Sequence, residues 1–152
     1  MTVRSQDQEE NSGNLAVTGR NERLVREYFK AVWNEGDLYV FDTDLVSGEY
    51  VLHAQSNDQY TVEELRNVWS DWHRTFPDLS NEIRDLITTD DRVVVRYRFS
   101  GTHEAEIMGI PQTGKTIETA GIVILRLKDG QIAETYAMDD VLGLRQQLGE
   151  NS

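Results

Sequence analysis

Residues Gly101–Leu148 read GTHEAEIMGIPQTGKTIETAGIVILRLKDGQIAETYAMDDVLGLRQQL. Two long runs within them, Thr116–Leu127 and Gln131–Asp140, have the character of strands and are joined by Lys128-Asp129-Gly130. Asp beside Gly between two alternating apolar runs is a strong local signal for a hairpin. The second run ends in two acids, Asp139 and Asp140, just before a short helical pattern over residues 141–148. Side chains alternate faces along a strand, so these neighbours cannot both point the same way. One should face the covered side of the sheet, and that one is the best candidate for chemistry in the chain.

Upstream, Val93, Val95, Tyr97 and Phe99 alternate with Val94, Arg96 and Arg98, which reads as a strand over Arg92–Ser100 with one partly wet face. A strand near Asn81–Thr88 and a turn at Asp90-Asp91 precede it, and Tyr50–His53 forms another strand. The helices come first. Leu24, Val25, Tyr28, Phe29, Val32 and Trp33 recur at helical spacing, with Asn21 as the expected N-cap and Glu35-Gly36-Asp37 as the stop. A short helical segment, Leu38–Leu45, follows. Thr61-Val62-Glu63-Glu64 has the form of a capping box and opens a helix to about Thr75, with the stripe Leu65, Val68, Trp69, Trp72 and Phe76, before Pro77 stops it. Residues 1–20 are polar and without periodicity, and are expected to be a disordered tail; 21–152 are expected to form one domain. The fold class is therefore α+β: a strongly curved antiparallel β-sheet forming a cone, with the N-terminal helices packed on its concave face around a cavity.

The composition narrows the function classes. The 152 residues carry 27 Asp+Glu against 15 Lys+Arg, a net charge of −12, and no Cys. An acidic surface disfavours nucleic acid or an anionic membrane as partner, and is read as a solubility feature. Without Cys there is neither a disulfide framework nor thiolate chemistry. No apolar run approaches the roughly 18–20 residues of a membrane helix, and the N-terminus lacks the order of a signal peptide, so a cytoplasmic protein is expected. The three His show no close metal-ligand spacing, so no metal is expected. Neither a nucleophilic triad nor a phosphate-binding loop is expected.

Three stretches carry a resemblance to a known family: LVREYFKAVWNEGDL, FPDLSNEIRDLITTDDRVVVRYRFSGTHEAEIMGIPQTGKTI and RLKDGQIAETYAMDDVLGLRQQLG. Together they resemble the SnoaL-like polyketide cyclases, or ester cyclases, of the nuclear-transport-factor-2-like superfamily over about residues 21–149. The resemblance implies a cone-shaped fold, no cofactor, and an acid/base carboxylate near the end of the last strand, a position that falls on Asp140. Where members often carry a Trp, this chain reads Glu134-Thr135-Tyr136.

Strand parity gives its own reading of the acids. Asp140 shares a face with Ile132, Tyr136 and Met138, the bulky set, and Asp139 with Ala133, Thr135 and Ala137, the small set. If the helix-covered face takes the bulky set, Asp140 points into a hydrophobic pocket, where desolvation tunes it as a general acid/base aspartate. The competing reading makes Asp140 the cap of the helical turn at Val141. His53 and His103 are candidate donors to a substrate carbonyl, or else hydrogen-bonded structural residues; His73 reads as structural. Arg126 shares parity with Ile122 and Ile124 and is expected either to point inward or to sit in a surface ion pair. Trp33, Trp69, Trp72, Phe76, Tyr136, Met138 and, from the Glu106–Lys115 connection, Met108 are candidate lining residues; the helix aromatics serve equally as core.

The expected function is a cofactor-free acid/base enzyme, an aldol-type cyclase or isomerase acting on a hydrophobic carbonyl-containing small molecule. Two alternatives stand beside it: a non-catalytic ligand-binding or dimerising module on the same fold, and an epoxide-hydrolase-like enzyme, which needs a second inward carboxylate near Arg126. A homodimer through the exposed sheet face is expected.

Overall fold

A computed structural model of the chain describes residues 3–149, with side chains described from Leu15 onward. Helix α1 (Val3–Phe29) runs into a π-helical turn over Lys30–Glu35, closed by Gly36 at a φ of 64°. A 3₁₀ turn over Leu38–Asp42 is capped by the Asp37 carboxylate, which accepts from the Tyr39 amide. Strands β1 (Val46–His53) and β2 (Gln59–Thr61) lead to α2 (Val62–Thr75). Strands β3 (Ser80–Thr88), β4 (Arg92–Thr102), β5 (Thr116–Lys128) and β6 (Gln131–Asp139) follow, and α3 (Val141–Gln147) closes the described chain.

The helix expected to start at Asn21 starts at Val3, so the polar stretch read as a tail is, from Val3, the first part of α1. Once residues 21–29 are anchored by packing, each further residue extends the ladder at little cost, because the costly nucleus already exists. Asn21 is thus no cap. It is buried, and its amide donates to the carbonyls of Thr89 (3.2 Å) and Asp90 (3.0 Å), tying α1 to the β3–β4 turn. The capping box at α2 is present in both directions: Glu64 N–H donates to Thr61 Oγ1, and Thr61 N–H donates to Glu64 Oε2.

The six strands form one curved, unclosed sheet in the order β2-β1-β6-β5-β4-β3. Every pairing is antiparallel except β1 with β6, which is parallel. That pair is far apart in sequence, and the chain between supplies the long crossover a parallel pair requires. Asp129 (φ 54°) and Gly130 (φ 74°) make the two-residue turn between β5 and β6, the left-handed pair that matches the twist of the flanking strands.

Alternation decides the faces. On β4, Val93, Val95, Tyr97, Phe99 and Gly101 are buried; on β5, Ile117, Thr119, Gly121, Val123, Leu125 and Leu127 are buried. This inner face meets α1, the π turn and α2 through a continuous set of rings. Trp33 stands 4.7 Å from Trp69, 5.2 Å from Tyr97 and 5.1 Å from Phe99 between ring centroids, and Trp72 stands 5.5 Å from Phe76. No described helix is long and apolar enough to cross a membrane.

Candidate active site

The strands leave one acid facing the covered side, and it is Asp139. The Tyr97 hydroxyl donates to Asp139 Oδ1. Tyr97 is 1% exposed and lies in the inward row of β4, so the carboxylate it holds is on the inner face. Burial raises the Asp139 carboxyl above the ordinary aspartate range, and the Tyr97 hydrogen bond opposes that shift in part. Burial, followed by the charge of Asp139, pushes the Tyr97 phenol up, so it remains a proton donor. The Asp139 amide donates to Gln55 Oε1 (2.8 Å), which fixes the end of β6 against the turn after β1.

Gly121, directly opposite Asp139 on β5, makes this contact possible. A Cβ there would lie 2.5 Å from Tyr97 Oη and 2.6 Å from Tyr97 Cζ, and would overlap Asp139 Oδ1. The hydroxyl and the carboxylate meet over the space that the missing side chain leaves.

Asp140, the expected base, is exposed and caps α3: it accepts from the Gly143 amide at 2.9 Å. The capping alternative is the one the geometry supports. The inversion has a local cause. Arg126 pairs with Glu134, but the next residue of β5, Leu127, pairs with Ile132, so Ala133 is an extra residue in β6. Ile132 and Ala133 are both buried, and beyond this bulge the inward set is Thr135, Ala137 and Asp139. One inserted residue moves every later side chain to the other face.

The same flip turns Tyr136 and Met138 outward, and the structure places Arg126 and His53 on the outer face as well. Tyr136 and Met138 are 49% and 66% exposed on the outer face. Arg126 points outward and donates to Glu134 Oε2 from Nε (3.1 Å) and from a terminal nitrogen (2.9 Å). His53 Nε2 lies 2.8 Å from Glu134 Oε1, which also accepts from the Tyr136 hydroxyl, and the His53 and Tyr136 rings stack at 4.5 Å. These donors hold the Glu134 carboxyl down at about 2, the Tyr136 hydroxyl having the largest effect. His53 and Arg126 therefore brace the outer face and do not reach Asp139. The pairing also removes the basis for an epoxide-hydrolase-like centre at Arg126.

His103 is fully buried at the end of the inward row of β4, with Nδ1 at 2.8 Å from Thr113 Oγ1. His73 is structural, with Nε2 at 2.6 Å from the Val32 carbonyl. Trp33, Trp69, Trp72 and Phe76 all belong to the inner ring cluster, whereas Met108, at a φ of 52° in the Ile107–Ile110 turn, packs against the core from the connection between β4 and β5. A surface cleft of about 510 Å³ opens between β2 and α2, lined by Asp58, Gln59, Tyr60, Glu64, Asn67 and Val68. The turn that supplies Asp58 to this cleft also supplies Gln55 to the Asp139 amide.

Residues Gly109–Thr116, GIPQTGKT, do carry the spacing of a phosphate-binding loop, contrary to expectation. The structure gives that spacing no phosphate site, because the stretch runs into strand β5 and opens no helix whose amides could receive a phosphate. Sequence reasoning missed Asp139, Tyr97 and Gly121 as a unit; a Gly opposite an acid in otherwise bulky strands was the available signal.

The structure is thus an α+β cone with a carboxylate held against a ring-lined inner face. The chain belongs to the SnoaL-like polyketide cyclase family, whose profile matches residues 23–148. Among solved structures it is similar to TsrD from Streptomyces laurentii, at 31% identity and a TM-score of 0.76, covering 86% of this chain and 96% of that one. It is also similar to IdmH from Streptomyces antibioticus, at 28% identity and a TM-score of 0.75, covering 85% and 98%. A SnoaL-like polyketide cyclase from Agrobacterium tumefaciens shares the fold at 18% identity and a TM-score of 0.67, covering 83% and 95%. No curated protein matches the sequence.

Proposed function

We propose that the chain is an aldol-type cyclase or isomerase in which Asp139 is the general acid/base, acting on a hydrophobic molecule with a C–H bond flanked by carbonyl groups. The observation that carries this reading is the partly desolvated Asp139 carboxylate, fixed through Oδ1 by Tyr97 on the inner face. With Oδ1 engaged, Oδ2 is the oxygen left to take the proton from carbon. The resulting enolate carbon attacks a second carbonyl of the same folded molecule, forming the C–C bond, and Asp139 returns the proton to the new alkoxide. A raised carboxyl is better matched to this work at neutral pH than an ordinary one, and ring walls hold the two carbons close. Proton exchange isolates the first step. In deuterated water the protein is expected to accelerate deuterium incorporation at the central carbon of benzoylacetone, followed by proton NMR; no acceleration over buffer contradicts the reading.

We also propose that the outer sheet face pairs with a second copy. Ile122, Ile124, Tyr136 and Met138 are 39–66% exposed there. Charges on this face are closed within the chain: Arg96 with Asp85, Arg98 with Glu118, Arg126 with Glu134. Two copies that each carry −12 repel almost everywhere else. This balanced apolar face is where they can meet. Sedimentation velocity at micromolar concentration is expected to give a dimer, and Ile122→Glu combined with Met138→Glu a monomer. A wild-type monomer contradicts the pairing.

A further inference from the structure

Strand β6 outlasts one of its neighbours. Strand β1 ends at His53, which pairs with Tyr136, whereas β6 runs on to Asp139. On the β1 side, Ala137, Met138 and Asp139 therefore extend past the last paired residue. On the other side β5 stays paired to the end: Gly121 lies opposite Asp139, and the Asp140 amide donates to the Ala120 carbonyl at 3.0 Å. Successive amides of a strand point to opposite edges, so the Asp139 amide faces the edge that β1 has left. A main-chain donor at such an end needs another partner, or the end opens readily.

Continued in register, residue 55 would stand beside Met138, and its main-chain carbonyl would receive the Asp139 amide. The strand does not continue, because the chain turns back into β2. Ala54 N–H donates to the Asp58 carbonyl (2.9 Å), Asn57 N–H donates to the Ala54 carbonyl (3.1 Å), and Asn57 sits at a φ of 67°. Ser56 Oγ donates to Asp58 Oδ2 (2.8 Å) across the same turn. The side chain of Gln55 takes over from its own main chain: Oε1 accepts from the Asp139 amide at 2.8 Å. Because the partner is an N–H, the carbonyl end of the Gln55 amide is the end that makes the contact.

We propose that Gln55 is a positioning residue for Asp139: its side-chain carbonyl replaces the missing β1 partner, so that the end of β6 stays in the sheet and its carboxylate meets the Tyr97 hydroxyl. The inference rests on the reading of Asp139 as the acid/base group, and it names what keeps that group in place. Residue 139 is held twice, by Tyr97 at the carboxylate and by Gln55 at the main chain. Asp139 is also the last residue of β6 and joins directly to the cap of α3. With the latch gone, the strand end and the carboxylate it carries move toward water. Gln55 itself is exposed, so its truncation uncovers little apolar core.

The test compares Gln55→Ala with Gln55→Glu by NMR, without substrate. Gln55→Ala removes the acceptor, so hydrogen exchange of the Asp139 amide is expected to quicken by about five- to tenfold, with Tm falling by no more than about 4 °C. The carboxylate, with Tyr97 as the titratable side chain against it, then loses part of the desolvation that raises it. Its titration midpoint is expected to fall toward the ordinary aspartate value. Gln55→Glu keeps an acceptor and adds a negative charge beside Asp139, so the amide is expected to stay protected while the midpoint rises. A general loss of stability does not move the two midpoints in opposite directions. Unchanged amide exchange in Gln55→Ala, or midpoints that do not separate, overturns the inference. Deuterium incorporation into benzoylacetone is expected to fall by about 10–10²-fold in Gln55→Ala and to persist in Gln55→Glu; a full rate in Gln55→Ala also overturns it. No incorporation even by wild type is instead the failure of the acid–base reading, and the amide and carboxyl measurements still decide the latch.

Discussion

Asp139→Asn is expected to lower the accelerated deuterium exchange by about 10²–10⁴-fold, the usual range for loss of a positioned general base, while Asp140→Asn leaves it unchanged. The two acids are neighbours of identical chemistry, and only their surroundings separate them. Asp139 is desolvated and held by Tyr97; Asp140 is exposed and bonded to the Gly143 amide. An amide at 139 still accepts from the Tyr97 hydroxyl, so the fold survives. The stability of Asp139→Asn follows from the direction of the shift. A carboxyl raised in the folded state binds its proton more tightly there than in the unfolded chain. Its stabilising contribution is present in full below the unfolded value, about 3.9, and is lost as pH rises through the folded value. The neutral amide escapes that loss. The Tm of Asp139→Asn relative to wild type is therefore expected to increase as pH rises above about 4. A relative Tm that decreases over that interval contradicts the assignment.

The second large effect is expected at Gly121→Ala. The backbone there is not left-handed, so any residue could adopt it, and the obstacle is the space itself. An added methyl would sit 2.5 Å from Tyr97 Oη and overlap the Asp139 carboxylate. Tyr97 cannot retreat, because its ring is wedged against Phe29, Trp33 and Phe99. Overpacking of this kind costs about 1–3 kcal/mol. It also drives the carboxylate from its hydrogen bond, and a displaced base loses rate steeply, by about 10²-fold for a shift near 1 Å. Urea denaturation and the exchange assay read the two losses separately. Unchanged stability together with full exchange would show that the hydroxyl and carboxylate do not meet over Gly121.

Local rules carried most of the architecture. Period-two alternation in β4 placed Val93, Val95, Tyr97 and Phe99 inward, as found, and the Thr61 capping box opened α2 where its residues said it would. Asp129-Gly130 turned the chain as two left-handed residues should. Family resemblance and strand periodicity agree on the α+β cone, and the structure adds the parallel β1–β6 pair. The site was less legible. Parity along β6 holds from Thr135 onward, but Ile132 belongs to the other side of a bulge that no residue pattern announces, because Ala133 is neither Gly nor Pro. Extrapolating from Ile132 put Asp140, Tyr136 and Met138 inside, when each faces out. Large residues at the outer positions made the error persuasive. The inner positions of β6 instead carry small ones, Thr135 and Ala137, and Tyr50 reaches across to bond Thr135. For Arg126 the surface ion pair is the alternative found, and the inward one fails for a simpler reason: Ile122 and Ile124, with which it shares parity, are exposed. Apolar side chains on an open sheet face mislead any argument that equates bulk with burial.

Carbon-13 NMR titration of the Asp139 carboxyl, assigned by comparison with Asp139→Asn, examines the desolvated acid without any substrate. A midpoint clearly above the ordinary aspartate value of about 3.9 is expected, with the Asp140 signal unaffected by the substitution at 139. A midpoint at or below 3.9 for Asp139 would mean that the carboxylate is solvated, and the acid–base role would have no physical basis.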